Sequence, residues 1–273
     1  MICFPNAKIN LGLHVLNKRE DGFHNIETVF YPVNLCDMLE IVKSVKSTKK
    51  VDFFSDGLPI SGNTENNLVV KAYNLLDKDF NLDPVKIFLY KKIPMGAGLG
   101  GGSSDAAFAL KLLNDIFLLG LNNEQLKNYA SQLGSDCAFF IENIPSYVLG
   151  RGNELEDFDI NLSDKYIVLL NPNIHSDTAL AYKNVNRRGA VMADFSLKNL
   201  LKQPIINWKD KVENDFEKSV FQAFPVLNDI KQKLYDSGAL YASMSGSGSS
   251  IFGIFDANPK LDVGLNKYII YKG

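Results

Sequence analysis

The sequence predicts an α+β fold in two domains, because hairpin-like strand patterns near the N-terminus give way to helical patterns, and this order starts again after residue 150. Apolar residues occupy the odd positions from Ile9 to Val15, and a period of two is typical of a strand with one apolar face. Asp21-Gly22 indicates a turn, and residues 26–32 resume as a strand. Antiparallel hairpins with separate helices favour α+β over a doubly wound sheet. We predict domains of residues 1–155 and 156–273.

The remaining elements follow from the period of the apolar residues and from turn residues. Residues 85–90 predict a strand that leads into a glycine-rich loop. Gly120 and Gly134 stand where helices commonly end. Beyond residue 150, residues 166–170 and 251–255 predict buried strands. Helical patterns cover residues 67–76, 103–119, 124–133, 177–184, 196–203 and 210–236.

The most informative segment is the glycine-rich loop after residue 90. Five of the seven residues from Gly96 to Gly102 are glycine, and glycine lets backbone N–H groups approach a ligand without a Cβ in the way. The helix that follows adds free N–H donors and a positive dipole end. We expect Ser103, Ser104 and Asp105 in the first turn of this helix, as capping residues. This context favours phosphate binding over a flexible linker.

Three well-known nucleotide loops do not fit. No lysine follows the last glycine, which excludes a Walker A loop. The segment from Gly96 to Gly101 satisfies G-x-G-x-x-G, but it lies a third of the way into the chain, and residues 121–126 do not resemble the end of a strand. The H-R-D and D-F-G triplets do not occur in the sequence, which excludes a protein kinase.

The composition limits the classes of function. The 273 residues are 46% hydrophobic and carry 29 Lys+Arg against 31 Asp+Glu, so we expect no nucleic-acid partner, which would need a basic surface. The three cysteines lack the spacing of a disulfide framework or a zinc site, and we assign no metal ligands. No signal peptide and no apolar run of about 18 residues is present, so we expect a cytoplasmic protein without a membrane partner. No pattern indicates an oligomeric state.

Three further points have both a structural and a functional interpretation. Lys8 and Asn10 lie on the face of the first strand opposite its apolar residues. The pattern favours a surface lysine, and the alternative is a cation that offsets phosphoryl charge. Asp136 follows Gly134 and is either a helix cap or a base that accepts a hydroxyl proton. The serine–glycine segment 245–250 is either a loop between core elements or part of a site.

Residues 94–105 read Pro-Met-Gly-Ala-Gly-Leu-Gly-Gly-Gly-Ser-Ser-Asp and resemble the ATP loop of the GHMP kinases, named for galactokinase, homoserine kinase, mevalonate kinase and phosphomevalonate kinase. Residues 6–11, Asn-Ala-Lys-Ile-Asn-Leu, resemble the first motif of that family. The segment Gly134-Ser-Asp136 resembles its Gly-x-Asp motif, and residues 245–250 resemble its third motif. The resemblance implies the two-domain GHMP kinase fold, with a cleft between an N-terminal ATP-binding domain and a C-terminal α/β domain.

The resemblance implies a small-molecule kinase that uses ATP and Mg²⁺. The three consecutive glycines and the segment Asp21-Gly-Phe-His24 are most similar to the members that phosphorylate the 2-hydroxyl of a cytidine diphosphate-linked methylerythritol in non-mevalonate isoprenoid biosynthesis. Mevalonate, phosphomevalonate and homoserine are the alternative acceptors. A nucleotide-binding regulator without catalysis is a further alternative, against which the presence of Lys8 and Asp136 speaks.

The resemblance also assigns roles to individual residues. Lys8 and Asp136 would be the catalytic pair, in which a neighbouring ammonium would keep the carboxylate ionised. Phe23 and His24 would hold the cytosine ring, although the family more often has tyrosine at the first position. The implied substrate site consists of Asn10, Phe23, His24, Thr178 and Tyr182, and the implied ATP site of Asn67, Lys91, Pro94, Met95, Gly96, Ala97, Gly98, Leu99, Gly100, Gly101, Gly102, Ser103 and Ser104.

Overall fold

The computed structural model describes residues 1–44, 49–176, 181–182, 185 and 196–273. Within these residues the strands are β1 (Ile2–Cys3), β2 (Asn6–Lys18), β3 (His24–Cys36), β4 (Met38–Lys43), β5 (Val51–Gly57), β6 (Val85–Lys91), β7 (Ser146–Leu149), β8 (Glu154–Asp157), β9 (Tyr166–Leu170), β10 (Tyr241–Met244), β11 (Ile251–Phe255) and β12 (Ile269–Lys272). The helices are α1 (Leu68–Phe80), α2 (Gly101–Phe117), α3 (Asn123–Leu133), α4 (Phe139–Glu142), α5 (Leu197–Leu200), α6 (Glu217–Ala223) and α7 (Pro225–Asp236). Short 3₁₀ helices lie at Thr64–Asn66, Ile205–Asn207 and Val263–Tyr268.

The chain forms two compact units that interleave along the sequence. The first consists of Met1–Ala7, Pro32–Met95 and Gly100–Ile144. The second consists of Lys8–Tyr31, Gly96–Leu99 and Pro145–Gly273. The N-terminal hairpin and four residues of the glycine-rich loop therefore belong to the second unit. The predicted division into domains at residue 155 stays a prediction.

The first unit is built on one sheet with strand order β1-β4-β6-β5. β4 is antiparallel to β1 and β6, whereas β5 runs parallel to β6. Along β6 buried and exposed residues alternate without a break, as expected for a strand with one covered face. α2 packs against α1 and β4. β6 and α2 thus supply the strand and the helix on either side of the glycine-rich loop.

The second unit contains two sheets, β2-β3-β7-β8 and β10-β11-β9-β12. Leu13 and Val15 of β2 belong to one apolar cluster with Val168 and Leu170 of β9 and with Leu227 of α7. Every residue from Asn6 to Val15 is buried, so β2 is covered on both of its faces. The alternation predicted from the sequence is correct for the apolar face, and the polar face is also buried.

Helix boundaries follow from local chemistry. Asn67 caps α1 by accepting a hydrogen bond from the Val69 N–H at 2.9 Å. The helix predicted over 210–236 is wrong for residues 210–216, which are not helical, and the rest forms the two helices α6 and α7. The break between them lies at Pro225, which begins α7 and cannot donate the hydrogen bond that would continue α6. The pattern predicted over 177–184 lies largely outside the described residues. None of the described helices has the length and apolar character needed to cross a bilayer.

Candidate active site

The glycine-rich loop has a backbone that only glycine adopts easily. Gly96, Gly98 and Gly100 have φ values of +62°, +78° and +69°, in the left-handed region that disfavours residues with a Cβ. Ala97 and Leu99 alternate with these glycines, and both are buried. A Cβ on Gly98 would lie 1.9 Å from the carbonyl oxygen of Ser245. The loop therefore lies against the serine–glycine segment 245–250.

The carbonyl groups of this loop are held by the protein. All three bonds lie in the second unit. The Ala97 carbonyl accepts a hydrogen bond from the Ser250 N–H at 3.2 Å, and the Gly98 carbonyl accepts one from the Ser245 hydroxyl at 2.8 Å. The Leu99 carbonyl accepts one from the Lys8 N–H at 2.9 Å. The N–H groups of residues 96–99 donate no hydrogen bond to any other described residue. Backbone N–H groups in such a bend are a site for phosphate oxygens.

The helix after the loop begins earlier than the sequence predicts. α2 starts at Gly101, with Gly100 at its N-cap and no side-chain cap. The predicted capping by Ser103, Ser104 and Asp105 is therefore wrong, because the helix already begins among the glycines. Asp105 lies beyond the first turn and is buried. The uncapped first N–H groups of α2 are free to bind an anion.

Lys8 is a buried lysine, so its interpretation as a surface residue is wrong. Its side chain is 3% exposed. Its ammonium donates to Asn10 Oδ1 at 2.6 Å and lies 4.3 Å from the centre of the Phe30 ring. Asn10 in turn donates through Nδ2 to Thr28 Oγ1 at 3.0 Å and through its N–H to Ser245 Oγ at 3.2 Å. Asn10 therefore links the first motif to the third motif within the second unit.

Asn214 holds the third motif in place, and sequence reasoning missed it. Its Nδ2 donates to the carbonyls of Met244 and Gly246, both at 2.8 Å. Glu217 supports the same segment by accepting from the Met244 N–H at 2.8 Å. The only sequence signal for Asn214 was its place shortly before a helix, where an asparagine is usually read as a cap.

Asp136 lies in a turn of the first unit, between α3 and α4. Gly134 ends α3, and a Cβ on this glycine would lie 4.0 Å from Ser103 Oγ in the first turn of α2. The Gly134-Ser-Asp136 corner is therefore next to the start of α2. Burial raises the pKa of the adjacent Cys137 thiol to about 12, so this cysteine is not a nucleophile.

A cavity of about 170 Å³ in the first unit brings together the residues expected near adenosine. Its lining includes Asn67, Lys91, Met95 and Gly102. Pro94 lies between the end of β6 and Met95, which lines the cavity. Asn67 uses its side-chain oxygen to cap α1. Its predicted contact with the nucleotide stays a prediction.

Lys91 lies in a buried group of three charges that sequence reasoning did not foresee. It is 2% exposed and donates to Asp37 and, at 2.8 Å, to Asp105 Oδ2. Asp37 also accepts from the N–H groups of the two residues that follow Lys91. Burial, opposed by the Lys91 ammonium and reinforced by the Asp37 carboxylate, raises the pKa of Asp105 to about 7. This group of three side chains thus holds both the end of β6 and the wall of the cavity in place.

Two of the residues predicted to bind the acceptor, His24 and Tyr182, are in contact in the second unit. The rings of His24 and Tyr182 are stacked with centres 5.3 Å apart, and Tyr182 packs edge-on against Phe216 at 4.7 Å. Phe23 is 56% exposed, and an aromatic side chain at the surface can stack with a planar ligand. Thr178 lies outside the described residues.

Comparisons with known proteins identify the family of this chain. The family model of the GHMP kinases N terminal domain matches residues 67–143, and that of the GHMP kinases C terminal matches residues 196–263. The 4-diphosphocytidyl-2-C-methyl-D-erythritol kinase of Bacteroides thetaiotaomicron is 51% identical over 100% of this chain and 99% of that protein. The kinase of the same name from Cytophaga hutchinsonii is 49% identical over 95% of this chain and 94% of its own length. A crystal structure of 4-(cytidine 5'-diphospho)-2C-methyl-D-erythritol kinase is 30% identical with a TM-score of 0.77, over 93% of this chain and 90% of that chain.

The fold and the glycine-rich loop are those of the GHMP kinases, small-molecule kinases that use ATP. At this level of identity over its whole length, the chain belongs to the 4-diphosphocytidyl-2-C-methyl-D-erythritol kinase family. The predicted α+β fold and the predicted enzyme class are therefore confirmed.

Proposed function

We propose that the chain transfers the γ-phosphoryl group of ATP to the 2-hydroxyl of 4-diphosphocytidyl-2-C-methyl-D-erythritol. The hydroxyl oxygen bonds to the γ-phosphorus, the bond from that phosphorus to the bridging β-γ oxygen breaks, and ADP leaves. Such a transfer needs positioning and charge neutralisation more than covalent chemistry. The observation that carries the proposal is the loop, whose carbonyls are held by Lys8, Ser245 and Ser250.

In this proposal, residues 96–104 bind the phosphates of ATP. The loop N–H groups and the first turn of α2 together offer backbone donors and the positive end of a helix. The cavity lined by Asn67 and Lys91 takes the adenosine. Loop and cavity follow one another along the chain, since Met95 lines the cavity and Gly96 begins the loop.

Lys8 would stabilise the negative charge on the transferring phosphoryl group. Its burial strengthens the effect of the ammonium, because charges interact more strongly away from water. The hydrogen bond to Asn10 and the Phe30 ring keep the ammonium in one position. Catalysis by a fixed charge needs no reorganisation during the reaction.

Asp136 would accept or orient the proton of the 2-hydroxyl. Its corner lies next to the first turn of α2, where the phosphates are expected. A carboxylate held by a short turn suits this role in phosphoryl transfer.

Mg²⁺ is part of the proposal, and Ser104 is its candidate ligand. The Ser104 hydroxyl is buried in the first turn of α2 and makes no hydrogen bond to the rest of the described chain. A hydroxyl oxygen suits Mg²⁺, which prefers oxygen ligands and keeps several waters. Among the described residues, no group of three or more His, Cys, Asp or Glu side chains could hold a metal ion. This fits an ion that arrives with ATP and neutralises charge on its phosphates.

The test measures ADP release with four acceptors: the cytidine-containing substrate, mevalonate, phosphomevalonate and homoserine. We expect release with the first alone, and turnover confined to an acceptor without cytidine would contradict the substrate. Asp136→Asn should lower kcat about 100- to 10,000-fold. The control Asp164→Asn changes an exposed carboxylate paired with Lys165 and should leave kcat unchanged. An unchanged kcat in Asp136→Asn would rule out the role of Asp136.

A further inference from the structure

An arginine without an assigned role, Arg151, lies in the turn between β7 and β8. The guanidinium of Arg151 is 4.9 Å from the centre of the exposed Phe23 ring. The turn that carries Arg151 is fixed to β3, because the Gly150 carbonyl accepts from the Ile26 N–H at 2.8 Å. The aliphatic part of an arginine side chain commonly packs on such a ring while the head group stays in water.

Arg151 differs from Arg19, which lies in the turn between β2 and β3. Arg19 donates from Nε to both oxygens of Asp21, at 3.2 and 3.1 Å, and from Nη1 to Asn25 at 2.9 Å. Across the described ranges, the guanidinium of Arg151 has neither an ion pair nor a hydrogen bond, and its backbone N–H donates to Asn153. Arg19 makes the hydrogen bonds to the Asp21 carboxylate, on which Arg151 acts only through its charge. Arg151 therefore contributes positive charge and unused hydrogen-bond donors beside Phe23.

We infer that Arg151 binds the diphosphate of the acceptor. The inference rests on the proposed function, in which a cytosine ring is held at Phe23 and His24. A nucleoside diphosphate bound there carries its charge on a flexible 5' tail, within reach of a long side chain that already lies on the same ring. The planar guanidinium matches two phosphate oxygens at once. Arg151 thus selects acceptors that carry a diphosphate, whereas Phe23 and His24 select the base.

The test compares cytidine with cytidine diphosphate in equilibrium titrations. The wild-type protein should bind the diphosphate more tightly than cytidine. Arg151→Met keeps the aliphatic stem on Phe23 and should weaken the diphosphate about 10- to 100-fold, the usual effect of losing charge-assisted hydrogen bonds. Its affinity for cytidine should not change. Arg151→Lys keeps the charge and should recover part of the loss, and KM for the acceptor should rise in Arg151→Met with little change in kcat.

His24→Ala is the comparison variant, because loss of a base contact should weaken cytidine and its diphosphate by the same factor. An equal loss for both ligands in Arg151→Met would show that Arg151 acts through the ring, which overturns the inference. An unchanged affinity for the diphosphate would overturn it as well. A wild-type protein that binds neither ligand would instead contradict the proposed function, and with it this inference. Unfolding midpoints of Arg151→Met and Arg151→Lys should match the wild type.

Discussion

Replacing Gly98 with alanine tests the contact on which the phosphate loop depends. Gly98 has a φ of +78°, and this region costs an L-residue about 1–2 kcal/mol. The added Cβ would lie 1.9 Å from the carbonyl oxygen of Ser245 and 2.8 Å from its carbonyl carbon. Both contacts are with backbone, so no change of rotamer relieves them. Either the loop or the segment 245–250 must move.

A second glycine separates the loss of stability in Gly98→Ala into a backbone part and a steric part. Gly238 has a φ of +93°, and a Cβ there would meet no atom within 4 Å. Gly238→Ala should therefore lower the free energy of unfolding by the backbone cost alone, about 1–2 kcal/mol. Gly98→Ala adds the cost of overpacking, about 1–3 kcal/mol. We expect a total loss of about 2–5 kcal/mol for Gly98→Ala.

The assay is urea unfolding followed by the fluorescence of Trp208. This residue is the one tryptophan of the chain, is buried, and lies in the second unit with both glycines. Gly98→Ala should also raise KM for ATP, whereas Gly238→Ala should not. Equal unfolding free energies for the two variants, or a wild-type KM for ATP in Gly98→Ala, would refute the reasoning.

Two further predictions concern buried polar groups. Ser245→Ala removes the hydroxyl that accepts a hydrogen bond from the Asn10 N–H and donates one to the Gly98 carbonyl. We therefore expect kcat to fall about 10- to 100-fold in steady-state assays. A wild-type kcat would contradict this prediction. Burial is the main cause that raises the pKa of Asp105 from 3.8 to about 7, so between these two values the folded protein binds a proton at this carboxyl more often than the unfolded chain does. The free energy of unfolding should therefore fall as pH rises from about 4 to about 7. Asp105→Asn should remove this slope in chemical unfolding, and identical pH dependence in the variant and the wild type would exclude Asp105 as its source.

Local sequence patterns predicted the strands and helices themselves better than the burial of their side chains in the fold. The alternation from Ile9 to Val15 identified β2, but it could not show that the polar face is buried, because that depends on β3 and on distant segments. Burial of Lys8 is therefore visible only in the fold. Similarly, the glycines before α2 predict a loop over the whole glycine-rich segment. In the structure the positive φ values of Gly96, Gly98 and Gly100 allow a tight bend, and α2 already begins at Gly101.

In the candidate site, too, features formed by neighbouring residues were predictable from the sequence and features formed by distant residues were not. The phosphate loop was predictable, because strand, glycines and helix follow one another along the chain. The group of Asp37, Lys91 and Asp105 was not, since Asp37 and Lys91 are 54 positions apart and no motif joins them. Asn214 acts on a segment 30 positions further on. Side chains that act over such distances leave no periodic pattern in the sequence.

The hydrogen bond between Asn10 and Ser245 joins groups 235 positions apart. A ribosome adding about 5–20 residues per second needs about 10–50 s to make the intervening chain. Once residue 102 has been added, β2 and the glycine-rich loop exist without Ser245, which hydrogen-bonds to both of them in the folded protein. A nascent or prematurely terminated polypeptide would therefore carry the complete ATP motif and still lack a formed site. Nucleotide capture would begin only when almost all of the protein has left the ribosome.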